Sequence, residues 1–216
     1  MKKNYLVLAV VSISLLASVV NAQTEKVPMS LAGENFLGTL KDGVYKNEFF
    51  GFRLDVPKHL FLLTRDEVNF AKDLGSKALS QNISRNQAAW EKAATAEVVI
   101  VALTDKSPGS ASTSTLAIGV LRQPDGASSR MVTNVSKEFL LQNPSFRVVE
   151  DTHSVKLGGK EFSLVRLSAN LNGIAINFDY YATIQNGHSV TVVISYLSDD
   201  ARKEFEKVLK TATFTL

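Results

Sequence analysis

The chain has 216 residues, of which 45% are hydrophobic, 21% are charged and none is cysteine. This composition is typical of ordinary globular protein and excludes fibrous and low-complexity chains. The lack of cysteine excludes disulfides, thiolate metal sites, cysteine nucleophiles and a lipid-modified N-terminal cysteine. The net charge of +3 falls to +1 without the two lysines of the first segment, so charge gives no indication of a nucleic-acid partner.

The first 22 residues have the three-part pattern of a secretory signal. Two lysines precede an apolar stretch, and Val20 and Ala22 are the small residues that signal peptidase requires. The apolar stretch ends at Val20 and is 15 residues long, whereas a membrane-spanning helix needs about 20. We therefore expect cleavage between Ala22 and Gln23, and a periplasmic or secreted protein with no membrane span after cleavage.

The rest of the chain divides into a leader and one domain. Residues 23–43 mix polar residues, proline and glycine with few apolar ones, which indicates a weakly structured leader. Residues 52–56 alternate apolar and charged side chains, which predicts a half-buried strand, and residues 44–46 are expected to pair with it as a hairpin. No repeat or linker follows, so residues 44–216 form a single predicted domain.

The segment after residue 64 has the apolar period of an amphipathic helix, with Thr64 or Asp66 as its cap. Gly75 and the polar residues 81–82 favour a break, so a second helix is expected from Ser84. The inner stripe of the first helix is predicted to be Val68, Phe70, Ala71, Leu74, Ala78 and Leu79, and the second helix should bury Trp90 in the core.

Two later segments also predict helices. The first has Thr133 or Asn134 as its cap, directs Val135, Phe139 and Leu140 inward and ends before Pro144. The second opens with acids at residues 199–200, which favour a helix N-terminus, and directs Ala201, Phe205, Val208, Leu209 and Ala212 to one side.

The predicted strands form consecutive antiparallel pairs. Residues 98–103 and 116–121 are apolar on both faces, which is typical of strands covered above and below, and a polar loop joins them. Later strands are joined by two-residue turns, which force antiparallel neighbours. These turns are Gly158-Gly159, Asn172-Gly173 and Asn186-Gly187.

Together these elements predict an α+β fold, a three-layer α/β/α sandwich with a central antiparallel sheet. One face of its strand 174–185 carries the candidate binding patch, in which tyrosine, amide, carboxylate and hydroxyl groups alternate. The alternative is that a helix covers this face and its polar groups satisfy one another. The patch consists of Asn177, Asp179, Tyr181 and Thr183, with Arg166 on the neighbouring strand.

The sequence provides no catalytic constellation. His59, His153 and His188 all lie at predicted element ends, where solvent-exposed histidine is common. No hydrolase, zinc-protease, phosphate-loop or dinucleotide motif occurs. We therefore expect no catalytic residue, no metal and no cofactor.

The stretch from Gly43 to Pro57 contains Tyr45-x-Asn47-x-x-x-Gly51-Phe52. With the later hairpins and a closing helix that ends in Thr-Ala-Thr-Phe, it resembles the PsbP-like superfamily. The resemblance covers nearly the whole predicted domain. It implies a compact sandwich that acts as an accessory or binding module without catalysis, and it transfers no functional residues, because the members of this superfamily do unrelated jobs on one fold.

These observations lead to one principal hypothesis and two alternatives. The principal hypothesis is an exported, non-catalytic binding or accessory module of the cell envelope, whose partner is an unidentified envelope protein or a small ligand. The alternatives are an exported hydrolase that uses one of the three histidines, and a carrier of a small apolar ligand.

Overall fold

The computed structural model describes residues 37–80, 97–108, 110, 113–171 and 173–214, with the backbone alone at 74 and 76–80. The expected signal segment and the predicted helix around Trp90 lie outside these residues. The described part has eleven strands in two antiparallel sheets and three helices, which confirms the α+β class. None of these helices is long and apolar enough to cross a membrane.

The smaller sheet has four strands in the order β1–β2–β3–β11. The predicted hairpin of residues 44–46 with the following strand is confirmed as β2 paired with β3. The sheet begins at Thr39, inside the range assigned to the leader, so folded structure starts before the expected domain boundary at residue 44. Its strands are β1 (Thr39–Lys41), β2 (Val44–Asn47), β3 (Phe52–Asp55) and β11 (Thr213–Phe214).

The larger sheet has seven strands in the order β4–β5–β6–β10–β9–β8–β7. All its neighbours are antiparallel, and the three predicted hairpins are present as β7–β8, β8–β9 and β9–β10. Asn172 of the middle turn lies outside the described residues. The strands are β4 (Phe61–Leu62), β5 (Val98–Thr104), β6 (Thr115–Arg122), β7 (Phe146–Leu157), β8 (Lys160–Leu171), β9 (Ile174–Gln185) and β10 (His188–Tyr196).

The three helices are α1 (Arg65–Ser80), α2 (Ser129–Leu140) and α3 (Asp199–Lys210). Thr64 caps α1, because its hydroxyl accepts from the backbone of Glu67 while the Glu67 carboxylate accepts from the backbone of Thr64. The predicted caps of α2 are wrong. Ser128 caps this helix, and Thr133 lies inside it with its hydroxyl donated to the backbone oxygen of Ser129.

The inner face of α1 also differs from the prediction. Val68 and Ala71 are buried, but Phe70 is 50% exposed. Val68 and Ala71 pack in an apolar cluster with the larger sheet, and Gly75 is also buried, so α1 meets the sheet with short side chains. Phe70 therefore lies outside the buried stripe that the apolar spacing predicted, and the side chains of Leu74, Ala78 and Leu79 lie outside the described residues.

The larger sheet is buried on both faces. Adjacent residues of β9 belong to different apolar clusters, Tyr180 to one that includes α2 and Tyr181 to one that includes α3 and the smaller sheet. The predicted burial of β5 and β6 on both faces is confirmed, since nearly every residue of both strands is inaccessible to solvent. The core of the protein is therefore arranged around this sheet, with α3 fixed against β10 and β3.

The turn between β7 and β8 packs against the segment that follows α3. Gly158 has φ of +55°, and a Cβ there would lie 2.2 Å from the backbone oxygen of Ala212, whereas Gly159 has φ of +81° and open space around its Cβ position. Both glycines supply left-handed backbone, but only Gly158 supplies a close approach of two backbones.

We expect Gly158→Ala to lower the free energy of unfolding more than Gly159→Ala. The second change carries only the left-handed penalty of about 1–2 kcal/mol. Gly158→Ala carries this penalty and also requires the backbone carbonyl of Ala212 to move, since the clashing atom belongs to the backbone and not to a flexible side chain. Urea unfolding of both variants measures the difference, and equal losses would contradict the proposed backbone contact.

Candidate functional site

The predicted polar face of β9 is covered by other elements. Asp179 is 0% exposed. Tyr181 and Thr183 are also buried, and Asn177 is half-buried. The Thr183 hydroxyl donates to the backbone oxygen of Glu161, 2.9 Å away. This face of β9 is therefore largely internal, as the alternative interpretation expected, and is not an open patch.

Two arginines from different elements bind the buried carboxylate of Asp179. Nε of Arg166 on β8 lies 3.3 Å from Oδ1, and Nε of Arg202 on α3 lies 2.9 Å from Oδ2. The Tyr196 hydroxyl donates to Oδ1 over 3.1 Å. We call Arg166, Asp179, Tyr196 and Arg202 the Asp179 cluster. It connects α3 to three adjacent strands of the larger sheet, β8, β9 and β10.

Each arginine of the cluster also binds a second carboxylate nearer the surface. Arg166 donates to Glu150 on β7, and Nη2 of Arg202 lies 2.8 Å from Glu206, one turn further along α3. Burial has the largest effect on both guanidiniums and lowers their pKa, but Asp179 together with Glu150 at Arg166 and Glu206 at Arg202 outweighs it and raises each pKa above its usual value. Three carboxylates thus face two guanidiniums, and no positive charge remains for an anionic ligand.

Sequence reasoning found one pair of this cluster and missed its connection to the helix. The turn at residues 172–173 fixes the β8–β9 register and places Arg166 directly opposite Asp179. Arg202 and Tyr196 had no local signal, because their contact with Asp179 depends on where α3 lies on the sheet. Asn177 does not join the cluster.

We expect Asp179→Asn to lower the free energy of unfolding by about 3 kcal/mol, since removing one partner of a buried ion pair leaves uncompensated charge. The matched control is Asp55→Asn, which breaks the exposed Arg53–Asp55 pair of 3.2 Å and should cost less than about 1 kcal/mol. Denaturant unfolding at neutral pH compares the two. Similar losses would contradict a dominant role of the Asp179 cluster.

The three histidines lie in separate places. Nε2 of His59 is 2.7 Å from the Glu204 carboxylate on the surface of α3. Nδ1 of His153 lies 2.9 Å from the backbone oxygen of Asp151, and Nδ1 of His188 lies 2.7 Å from that of Asn186. Among the residues that the structure describes, no group of three histidine, aspartate or glutamate side chains could hold a metal ion.

A concave apolar site lies between the edges of the two sheets. This edge pocket encloses about 200 Å³ between β1–β2 of the smaller sheet and β4–β5 of the larger one. Its rim includes two partly exposed apolar side chains, Leu40 at 39% and Leu62 at 43%, and the exposed Arg65. It is lined by Leu37, Gly38, Leu40, Tyr45, Leu62, Leu63, Arg65, Val68 and residues 99–102.

One wall of the edge pocket is fixed by Tyr45. Its hydroxyl donates to the backbone oxygen of Leu37 over 2.7 Å, and Asn47 Nδ2 donates to that hydroxyl over 3.3 Å. Gly38 has φ of +70°, and a Cβ there would lie 2.7 Å from the tyrosine oxygen, so only glycine allows this approach. Leu37, Gly38 and Leu40 of this wall lie in the predicted leader, so no sequence pattern indicated the pocket.

The opposite wall is the edge of β5, which the two-residue strand β4 covers only in part. Three donors satisfy backbone oxygens along this edge: Arg65 Nη1 to Val99 over 2.8 Å, Lys72 Nζ to Glu97 over 2.8 Å and Leu63 N to Ala102 over 2.9 Å. Burial lowers the pKa of Lys72. Helix α1 thus closes a sheet edge that would otherwise remain unpaired.

All the tyrosines within the described residues are buried, and burial raises the pKa of each. For Tyr45 the pKa rises from 10.0 to about 12. Burial also raises the pKa of Tyr180, Tyr181 and Tyr196. The negative charge of Asp179 raises the pKa of Tyr181 and Tyr196 further.

We expect stability to fall above pH 10. A raised pKa means that the folded state holds its proton more tightly than the unfolded state, so the stabilisation is complete below pH 10 and is lost as pH rises through the folded pKa. Phenolate absorbance and circular dichroism should change together on alkaline titration. Full ionisation in a protein that stays folded would contradict this. Tyr45→Phe should make the loss between pH 10 and 12 shallower.

No protein-family model matches the chain, and no curated protein matches it. Solved structures similar to the chain include cyanobacterial PsbP from Synechocystis, at 11% identity and a TM-score of 0.49, which covers 83% of this chain and 99% of that one. They also include LpqN of Mycobacterium tuberculosis, described as involved in cell envelope biogenesis, at 15% identity, a TM-score of 0.45 and coverage of 76% and 83%.

A third similar structure is a Bacteroides thetaiotaomicron protein, at 11% identity and a TM-score of 0.43. The match covers 77% of this chain but 46% of that one, so this chain spans about half of its length. The resemblance to PsbP-like proteins noted from the sequence is thus also found among the structural neighbours.

Proposed function

We propose that the protein is an exported, non-catalytic binding or accessory module of the cell envelope. Its scaffold is a three-layer sandwich, with α1 and α2 on one side of the larger sheet and α3 with the smaller sheet on the other. The observation that carries the proposal is the edge pocket, an apolar concavity with an exposed apolar rim. Concave, mostly apolar sites with a few polar groups are where proteins usually bind other molecules.

Export is supported by the sequence pattern of the first 22 residues. A binding role is favoured because the Asp179 cluster and two of the histidines already make contacts within the protein. The Asp179 cluster attaches α3 to the sheet, and two of the histidines contact carboxylates on the surface. Leu40 and Leu62 of the edge pocket, in contrast, remain partly exposed to water. An exposed apolar side chain adds no burial energy to the folded domain.

The two alternative functions have less support. A carrier of a whole small ligand needs a cavity of about 300–1,000 Å³, and the edge pocket encloses about 200 Å³. A histidine-dependent hydrolase needs a nucleophile within hydrogen-bond reach of its base. The contacts given above for His59, His153 and His188 are instead with carboxylate and backbone oxygens.

We expect envelope fractions of a Gram-negative host to contain a protein that begins at Gln23. Ala22→Leu should keep the precursor uncleaved, because signal peptidase requires a small residue before the cut, while Ala17→Leu, in the apolar stretch, should leave cleavage intact. N-terminal sequencing and mass spectrometry report the result. A cytoplasmic, uncleaved wild-type chain would overturn the proposed location.

The binding role itself is tested by crosslinking in intact cells, followed by purification of the exported chain. A stoichiometric partner, absent from a control with an unrelated exported protein, is the expected result. Two results together would overturn the proposal in favour of an enzyme. The first is recovery of no partner, and the second is hydrolysis of an ester, peptide or glycoside substrate that one histidine-to-alanine change abolishes.

A further inference from the structure

Arg65 is a charged wall group of the edge pocket that no carboxylate neutralises among the described residues. Arg65 lines the pocket, and a guanidinium has five N–H donors. One of these, on Nη1, binds the backbone oxygen of Val99. Within the part of the chain that the structure describes, no carboxylate pairs with Arg65. Its neighbour on α1, Glu67, has its carboxylate engaged by Thr64.

The pocket therefore joins two chemical preferences in one place. Its floor is aliphatic, formed by side chains such as Val68, Val99 and Val101, and it accepts an apolar group. Its mouth carries a positive charge, and guanidinium binds carboxylate through paired, charge-assisted hydrogen bonds. The complementary ligand is an apolar group with a carboxylate directly beside it.

The size and position of the pocket select the kind of molecule. About 200 Å³ accommodates one large apolar side chain and not a whole lipid. β1 is the end strand of the smaller sheet among the described residues, so its outer edge can pair with an extended peptide. An exposed apolar rim around a central pocket is also the arrangement of protein interaction hot spots.

We propose that the edge pocket docks an extended segment of a partner protein. The segment inserts one large apolar side chain between the two sheets and pairs an adjacent aspartate or glutamate with Arg65. This inference rests on the proposed binding role and specifies the partner's chemistry. Leu40 and Leu62 then exclude water around the inserted side chain.

A display library of short random peptides, selected on the full exported chain, tests the specificity. The expected peptides carry a large apolar residue next to an acid. Arg65→Gln and Arg65→Glu should weaken binding of a selected peptide about tenfold or more by fluorescence anisotropy, and an acid-to-lysine change in the peptide should restore binding to Arg65→Glu. The matched control Arg53→Glu alters an exposed arginine outside the pocket and should have no effect.

Unfolding curves of both Arg65 variants separate lost binding from lost folding, and restored binding by the lysine peptide can come only from a folded protein. Peptides that lack an acid, or that bind Arg65→Glu unchanged, would overturn the proposal. A crosslinked cellular partner that still binds Arg65→Glu would overturn this docking site while leaving the accessory role intact.

The natural absence of cysteine gives a direct test of what occupies the pocket. Leu62→Cys introduces a single thiol at the rim, which can carry a dye that reports apolar surroundings. The proposal requires the emission to shift only when the selected peptide is added. A dye already shielded without peptide would show occupation by the chain's own residues 23–36, and shielding that grows with protein concentration would show a second copy. Either result would overturn it.

Discussion

The contact between Asp179 and Arg202 determines how the two sheets meet. Asp179 is fully buried on the larger sheet, and Arg202 connects it to α3. The end of α3 then supplies Thr211, whose hydroxyl accepts from the backbone of Asp55, and β11, which pairs with β3 to complete the smaller sheet. A buried charge without its partner is costly, so this contact, together with the apolar packing of Phe205, Val208 and Leu209, favours the observed position of α3 and of the smaller sheet.

The edge pocket lies where the two sheets fail to seal. β4 is two residues long and pairs only with Leu103 and Thr104, so the rest of this edge of β5 has no neighbouring strand among the described residues. Helix α1 compensates by directing Arg65 and Lys72 onto backbone oxygens of that edge. Arg65 thus protects the edge from nonspecific pairing, and in the proposed docking site the same side chain would also supply the charged group.

The sequence patterns succeeded where the structure depends on local chemistry. Two-residue turns such as Gly158-Gly159 gave the antiparallel pairs, and the acids at the start of α3 marked its N-terminus. They failed where several local choices were acceptable. Ser128, Thr133 and Asn134 can each cap a helix, and packing selected the first. Phe70 was assigned to the core because its spacing matched a helical stripe, whereas the small residues of α1 form the contact.

The sequence by itself determined the secretory pattern, the alternating strands, the hairpin register that sets Arg166 opposite Asp179, and a core that needs no disulfide. These follow from composition and short-range periodicity. Only the tertiary structure decided that α3 covers the polar face of β9, that a second sheet unites β1 with β11, and that a pocket remains between the sheets. Each of these joins residues far apart in the chain, and their contact depends on how whole layers pack, which no local pattern encodes.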